Sequence, residues 1–119
     1  MKTVLAVDDS PANLTLVREA LKERYKVSVV TSGEQALKYL DKKKPDLVLL
    51  DVCMPDMDGI ETMEKMNQMP NPTWKVIFLT ALTDAYLGEQ AKRLNSAGYL
   101  TKPFAPEELV NAIRGVIGE

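Results

Sequence analysis

The 119-residue sequence predicts an α/β fold of the doubly wound kind, five strand–helix units forming a parallel sheet covered by helices on both faces. Two observations carry this. Five short runs of β-branched and apolar residues alternate with segments of helical spacing. The runs themselves scarcely alternate between polar and apolar, as expected of strands buried on both sides.

Taken in order, the first strand is Thr3–Val7 (TVLAV), and Ser10-Pro11 then reads as an N-cap and first helical residue. Leu14, Val17 and Leu21, at i, i+3 and i+7, mark the apolar stripe of the first helix. The second strand is Lys26–Val30 (KVSVV), after which Ser32-Gly33-Glu34-Gln35 reads as a capping box. The third is DLVLL, Asp46–Leu50, which runs straight into Asp51. Met69–Trp74 (MPNPTW) breaks the third helix before the fourth strand, Lys75–Leu79 (KVIFL). Leu87, Ala91 and Leu94 mark the fourth helix, although Gly88 inside it costs about 1 kcal/mol relative to alanine. The fifth strand is Gly98–Thr101 (GYLT), and Leu109, Ile113 and Val116 mark the last helix. Ala105-Pro106-Glu107-Glu108 has the proline and acids of a helix start, but alanine is a poor cap.

The length suits one domain, expected over residues 1–119. A hydrophobic content of 45% with 27% charged residues supports an ordinary core. The net charge of −2 and pI near 5.2 give no general attraction to nucleic acid or to anionic membranes. No apolar run approaches the ~18 residues of a membrane span and no signal-peptide pattern follows Met1, so a cytoplasmic location is expected. The one cysteine, Cys53, agrees with a reducing compartment and reads as a buried or half-buried small residue. Histidine is absent, which removes Ser/His/Asp and Cys/His nucleophile systems, an imidazole base and the usual zinc sites.

The chemistry lies where the strands end. Asp8-Asp9 closes the first, Asp51 the third and Thr80 the fourth, and Lys102 follows the fifth. Only the second, ending near Thr31, offers nothing, as suits an edge strand. In an open parallel sheet these ends share one edge, where ligands bind. Singly, each residue has an ordinary reading: the acids as a solvated turn, Thr80 as a cap of the fourth helix, Lys102 as a countercharge. Together they collect three carboxylates, a hydroxyl and an ammonium. Clustered carboxylates repel, so either a pKa rises or a cation enters. Oxygen donors alone select a hard cation, Mg²⁺ first and Mn²⁺ as a substitute. A metal ion, an ammonium and a hydroxyl can neutralise a phosphoryl group while a carboxylate attacks in line, and Asp51 is the natural nucleophile.

At this point the sequence resembles the receiver domain of two-component response regulators. VDDSP is similar to the family's first-strand acidic pair, and LLDVCMPDMDG to its phosphoacceptor segment. LTA is similar to its fourth-strand hydroxyl and small residue, and YLTKPF to its fifth-strand aromatic and Lys-Pro pair. The resemblance implies a flavodoxin-like three-layer sandwich; its strand order 2-1-3-4-5 is that of the chemotaxis member and is carried over, not read from the residues. It implies that Asp51 accepts phosphate from a histidine kinase, a histidine phosphotransfer protein or a small acyl phosphate. Asp9 and Asp51 would bind Mg²⁺ directly, Asp8 through water and Cys53 by its backbone carbonyl. Lys102, the Thr80 hydroxyl and the Ala81 amide would hold the phosphoryl oxygens, and the bond before Pro103 would be cis. Thr80 and Tyr99 would form the switch that remodels the face of the fourth helix, fifth strand and fifth helix. That face would be read by an output domain or target, with a homodimer as one phosphorylated form. Cys53 and Leu82 would border the path of the hydrolytic water. Asn95 stands where the family often has glycine, and asparagine suits the left-handed turn next best.

Three other chemistries fit poorly. A flavodoxin-like cofactor binder wants a phosphate-cradling loop after the first strand, and DDSPAN repels phosphate unless a cation intervenes. A haloacid dehalogenase-type phosphohydrolase shows D-x-D, but Cys53 stands two residues after Asp51. P-loop chemistry lacks its G-x-x-x-x-G-K-[ST] motif. The remaining alternative is a phosphorylation-independent interaction module on the same fold, which usually loses an acid or the lysine.

Overall fold

Each apolar run forms a strand, although the third starts at Leu47 and not Asp46 and takes in Asp51, and the fourth runs on through Thr80. In the computed structural model, which describes residues 1–81 and 85–118, β1 (Thr3–Val7), β2 (Lys26–Val30), β3 (Leu47–Asp51), β4 (Lys75–Thr80) and β5 (Gly98–Thr101) make one parallel sheet. The order is β2-β1-β3-β4-β5. Between the strands lie α1 (Pro11–Leu21), α2 (Gly33–Lys42), α3 (Gly59–Met66), α4 (Ala85–Arg93) and α5 (Pro106–Ile117).

Alternation along the strands separates two cores. Val4 and Ala6 face one way with Leu47, Leu49, Ile77 and Leu79, under Leu14, Val17 and Leu21 of α1 and Leu109 and Ile113 of α5. Leu5, Val7, Val48, Leu50, Val76 and Phe78 face the other way, covered by α2, α3 and α4 through such residues as Leu40, Met66 and Leu87. The unalternating pattern of β3 is explained by its central place, where every residue is buried. Edge strand β2 is only partly buried.

The caps show where local reading was right and where it slipped. Ser10 Oγ accepts the Asn13 amide at 3.3 Å, as its sequence context requires. Ser32 Oγ likewise accepts the Gln35 amide at 3.1 Å. The reciprocal half of the predicted box is displaced, however: Gln35 Oε1 accepts the amide of Thr31 at 2.8 Å, not that of Ser32. Thr31 follows an edge strand, so its amide has no neighbouring strand to bond and the glutamine serves it instead. Asp58 caps α3 through the Glu61 amide at 2.8 Å. Already at Asn67 α3 has ended, which leaves MPNPTW as the connecting loop. Asn95 adopts the left-handed conformation expected of it, at φ 61°.

Candidate functional site

Parallel register brings the predicted residues to one edge. Val7 lies beside Leu50, Asp51 beside Leu79, and Thr80 beside Thr101. The residues that end or follow β1, β3, β4 and β5 are therefore neighbours. Carboxylate oxygens of Asp8, Asp9 and Asp51 all lie within 4.8 Å of one another. Asp8 and Asp51 are buried, at 4% and 5% exposure, whereas Asp9 faces solvent.

Asp8 uses its two oxygens for different partners. Oδ1 accepts the Ser10 amide at 2.9 Å, and Oδ2 accepts a hydrogen bond from Lys102 Nζ at 2.8 Å. Asp51 Oδ1 accepts the Cys53 amide at 3.2 Å, while its Oδ2 lies 3.5 Å from Lys102 Nζ. The lysine thus bridges both acids and leans towards Asp8. Burial pushes the Asp51 carboxyl up to about 6, and the neighbouring Asp8 charge adds to this, against the opposing pull of Lys102 and the Cys53 amide. Burial on its own would lower the Lys102 ammonium, but its hydrogen bond to Asp8 and the charge of Asp51 outweigh that and raise it. Lys102 therefore stays charged at any physiological pH.

Three carboxylates against one ammonium leave a surplus of two negative charges when all are ionised. The donors are hard oxygens, and the exposed Asp9 keeps one side of the cluster open. A divalent cation of the Mg²⁺ type fits this set.

The other predicted residues fall around the cluster. Thr80 is fully buried at the end of β4, and its carbonyl accepts the Lys102 amide at 2.7 Å. Ala81, next along, is exposed. The Lys102–Pro103 peptide is cis. Tyr99 stands on β5 at 50% exposure, beside a recess bordered by Gly88 and Ser96. Cys53 is exposed, not buried or half-buried: it lies past the end of β3, in the loop that turns out to solvent. Leu82 lies outside the described residues. Gly59, at the start of α3, holds the floor of the site, since its amide bonds the Val52 carbonyl at 2.9 Å. A Cβ there would sit 2.3 Å from the Asp51 carbonyl oxygen.

One feature escaped the sequence reading. Leu16 of α1 is 66% exposed and lines an apolar cavity of about 370 Å³ with Phe104 and Pro106, which reaches Asp8 and Lys102 at its inner end. The signal was available: Leu16 is the one leucine of its helix off the Leu14–Val17–Leu21 stripe.

Such a sheet, with an acid cluster and a lysine at its carboxyl edge, defines a class of small phosphoacceptor signalling domains. Residues 4–114 match the response regulator receiver domain family, and the chain belongs to it. It is 33% identical over 117 residues to the alkaline phosphatase synthesis transcriptional regulatory protein PhoP of Bacillus subtilis, covering 98% of this chain and 48% of that one. Sporulation initiation phosphotransferase F of the same organism is 35% identical over 112 residues, 93% of this chain and 90% of that protein. The chain spans less than half the length of the first two transcriptional regulators it matches, 48% and 44%. Among solved structures, chemotaxis protein CheY4 of Vibrio cholerae superposes at a TM-score of 0.92 with 31% identity, covering 98% of each chain. The protein is accordingly a signalling module. Among the described residues, no helix is long and apolar enough to cross a membrane.

Proposed function

We propose that Asp51 is the phosphoacceptor, taking a phosphoryl group from a histidine kinase, a histidine phosphotransfer protein or a small acyl phosphate. The observation that supports this most is the convergence of three carboxylate oxygens within 4.8 Å beside a charged lysine. An Asp51 oxygen attacks phosphorus in line as the P–N bond to the donor imidazole, or the P–O bond of the acyl phosphate, breaks with its electron pair leaving on the donor. Asp9 and Asp51 would hold Mg²⁺ or Mn²⁺ directly, Asp8 through water and Cys53 by its carbonyl. The ion supplies neutralisation of the phosphoryl oxygens.

Lys102 sits 3.5 Å from Asp51 and is poised to move from Asp8 onto the phosphoryl oxygens. The Thr80 hydroxyl and the Ala81 amide complete their hydrogen bonding, and the side chain of Ala81 leaves room for approach. Thr80 and Tyr99 then act as the switch: the threonine is drawn inward and the half-exposed ring follows. The face of α4, β5 and α5 carries the change to an output domain, a target or a second copy. The donor docks on the groove of Leu16 and Phe104, which opens onto Asp8 and Lys102. We place this chemistry in the cytoplasm, with residues 1–119 acting as one receiver.

Intact mass after incubation with acetyl phosphate tests the reading. One Mg²⁺-dependent phosphoryl adduct is expected on the wild type and none on Asp51→Asn. An adduct that persists in the variant, or its absence from folded wild type, overturns it.

A further inference from the structure

A second polar recess lies at the opposite end of the sheet. Ligands of open α/β sheets bind at the carboxyl ends of the strands, so a built recess at the amino ends stands apart. It measures about 370 Å³ and lies where β1 and β2 begin, beside the end of α2. Its polar lining comes from separate parts of the chain: Thr3 of β1, Lys26 and Ser28 of β2, Tyr39 of α2, and Lys43 and Lys44 after it.

Three features of this lining select an anion. Among the described residues no carboxylate lines the recess, and that of Asp46, close by, accepts from the Thr3 amide at 2.8 Å. Lys26 and Lys43 have no acidic partner within 4.0 Å among the described residues, whereas Lys44 donates to the Asn71 carbonyl at 3.1 Å. The edge strand adds a backbone donor. The Lys26 amide donates to the carbonyl of Lys2, just before β1, and in a parallel ladder alternate residues face the same neighbour. Val27, which also lines the recess, therefore turns its amide away from β1, and among the described residues β2 has no strand on that side. The Tyr39 hydroxyl already reaches Ser28 Oγ at 3.3 Å, which fixes two hydroxyls side by side.

Lysines after a helix also complement its carboxyl-terminal dipole, and Lys43 and Lys44 serve α2 in that way. Lys26 does not, because it belongs to β2. Tyr39 and the apolar Val27 and Pro45 give the recess a partly apolar wall. Its size is that of a small-molecule site. We infer that this recess binds a small organic phosphate, its phosphate between Lys26 and Lys43 and its organic part against Tyr39 and Pro45. Five strand residues, roughly 17 Å of β1, separate it from Asp8, so occupancy leaves the phosphoacceptor cluster free.

The test is amide NMR of the ¹⁵N-labelled chain in Mg²⁺-free buffer at fixed ionic strength, titrated separately with adenosine monophosphate and inorganic phosphate. Saturable shifts centred on Val27, Ser28 and Lys43 are expected with the nucleotide. They should require about tenfold more ligand in Lys26→Gln/Lys43→Gln, and Ser28→Ala gives a second, milder weakening. Inorganic phosphate saturating the same amides equally well would reduce the proposal to a bare phosphate site and overturn the organic part. Absence of saturable shifts, shifts indifferent to the lysine variants, or tighter binding of a glutamate-rich peptide overturns it altogether. None of these readouts involves phosphorylation of Asp51.

Discussion

At the scale of single residues, Asp51 combines two demands that oppose one another. A nucleophile must be ionised and reachable, yet burial and the Asp8 charge raise its pKa to about 6. The folded protein therefore holds that proton more tightly than the unfolded chain does. The sign follows: this carboxyl costs no stability below about pH 4, becomes destabilising as pH rises towards 6, and stays so above. Without Mg²⁺, Asp51→Asn should raise the unfolding free energy from urea titration at pH 7.5 by about 1–2 kcal/mol after allowing for solvent screening, and give no gain at pH 4. A variant destabilised equally at both pH values would refute the repulsion. Adding Mg²⁺ should cancel the difference at about ten times its Kd and reverse it near a hundred times, where a ligand contributes about 2.7 kcal/mol to the wild type. That gain should fade below about pH 6, where Asp51 protonates. Gly59 makes the complementary point about space. Its missing Cβ would meet backbone, Asp51 O at 2.3 Å and Val52 Cα at 2.8 Å, which cannot rotate aside. Gly59→Ala should cost about 2 kcal/mol in urea unfolding and slow phosphorylation together; an unchanged midpoint would show that the loop yields easily.

At the scale of elements, the helices differ in how well they are finished. In α5 the Ala105 amide is bonded by Glu108 Oε1 at 2.9 Å, but Ala105 has no oxygen to return. Ala105→Ser supplies one, and a gain of about 1 kcal/mol in urea is expected; an unchanged or lower midpoint counts against it. The Gly88 position in α4 has open space where a Cβ would go. Packing therefore does not require glycine there, and Gly88→Ala should stabilise α4 by about 1 kcal/mol. Amide exchange is the discriminating measurement. Exchange in α4 should be faster than in α1 and should slow in the variant, whereas equal exchange in the two helices would remove any reason to regard α4 as loosened.

At the scale of the whole molecule, the sheet separates charge. Acids gather at its carboxyl edge, and lysines of β2 and the α2 end line the opposite recess. Beside the acids lies the apolar cavity of Leu16 and Phe104, on which we propose that a protein donor docks. Leu16→Asp should slow transfer from a phosphohistidine protein about tenfold or more, while acetyl phosphate, which needs no docking surface, should label the variant at the wild-type rate. Equal losses with both donors would mean that Leu16 supports the site and not the encounter.

Taken alone, the sequence determined the strands, because an unalternating apolar run such as Leu47–Leu50 has only one stable place, between two helical layers. It also determined which residues meet at the edge, since parallel strands that end in Asp8-Asp9, Asp51 and Thr80 place those ends together. Ser10 and Asn95 were legible for a local reason: a cap or a left-handed turn is decided within a few residues of chain. What crosses the sheet was not legible. That Lys102 leans on Asp8 more closely than on Asp51 and that Leu16 rims a cavity with Phe104 depend on neighbours far away in sequence. Spacing along a chain fixes which face a residue belongs to. Only the packed structure decides which partner on that face stands nearest, and differences of under an ångström settle which carboxylate holds the lysine.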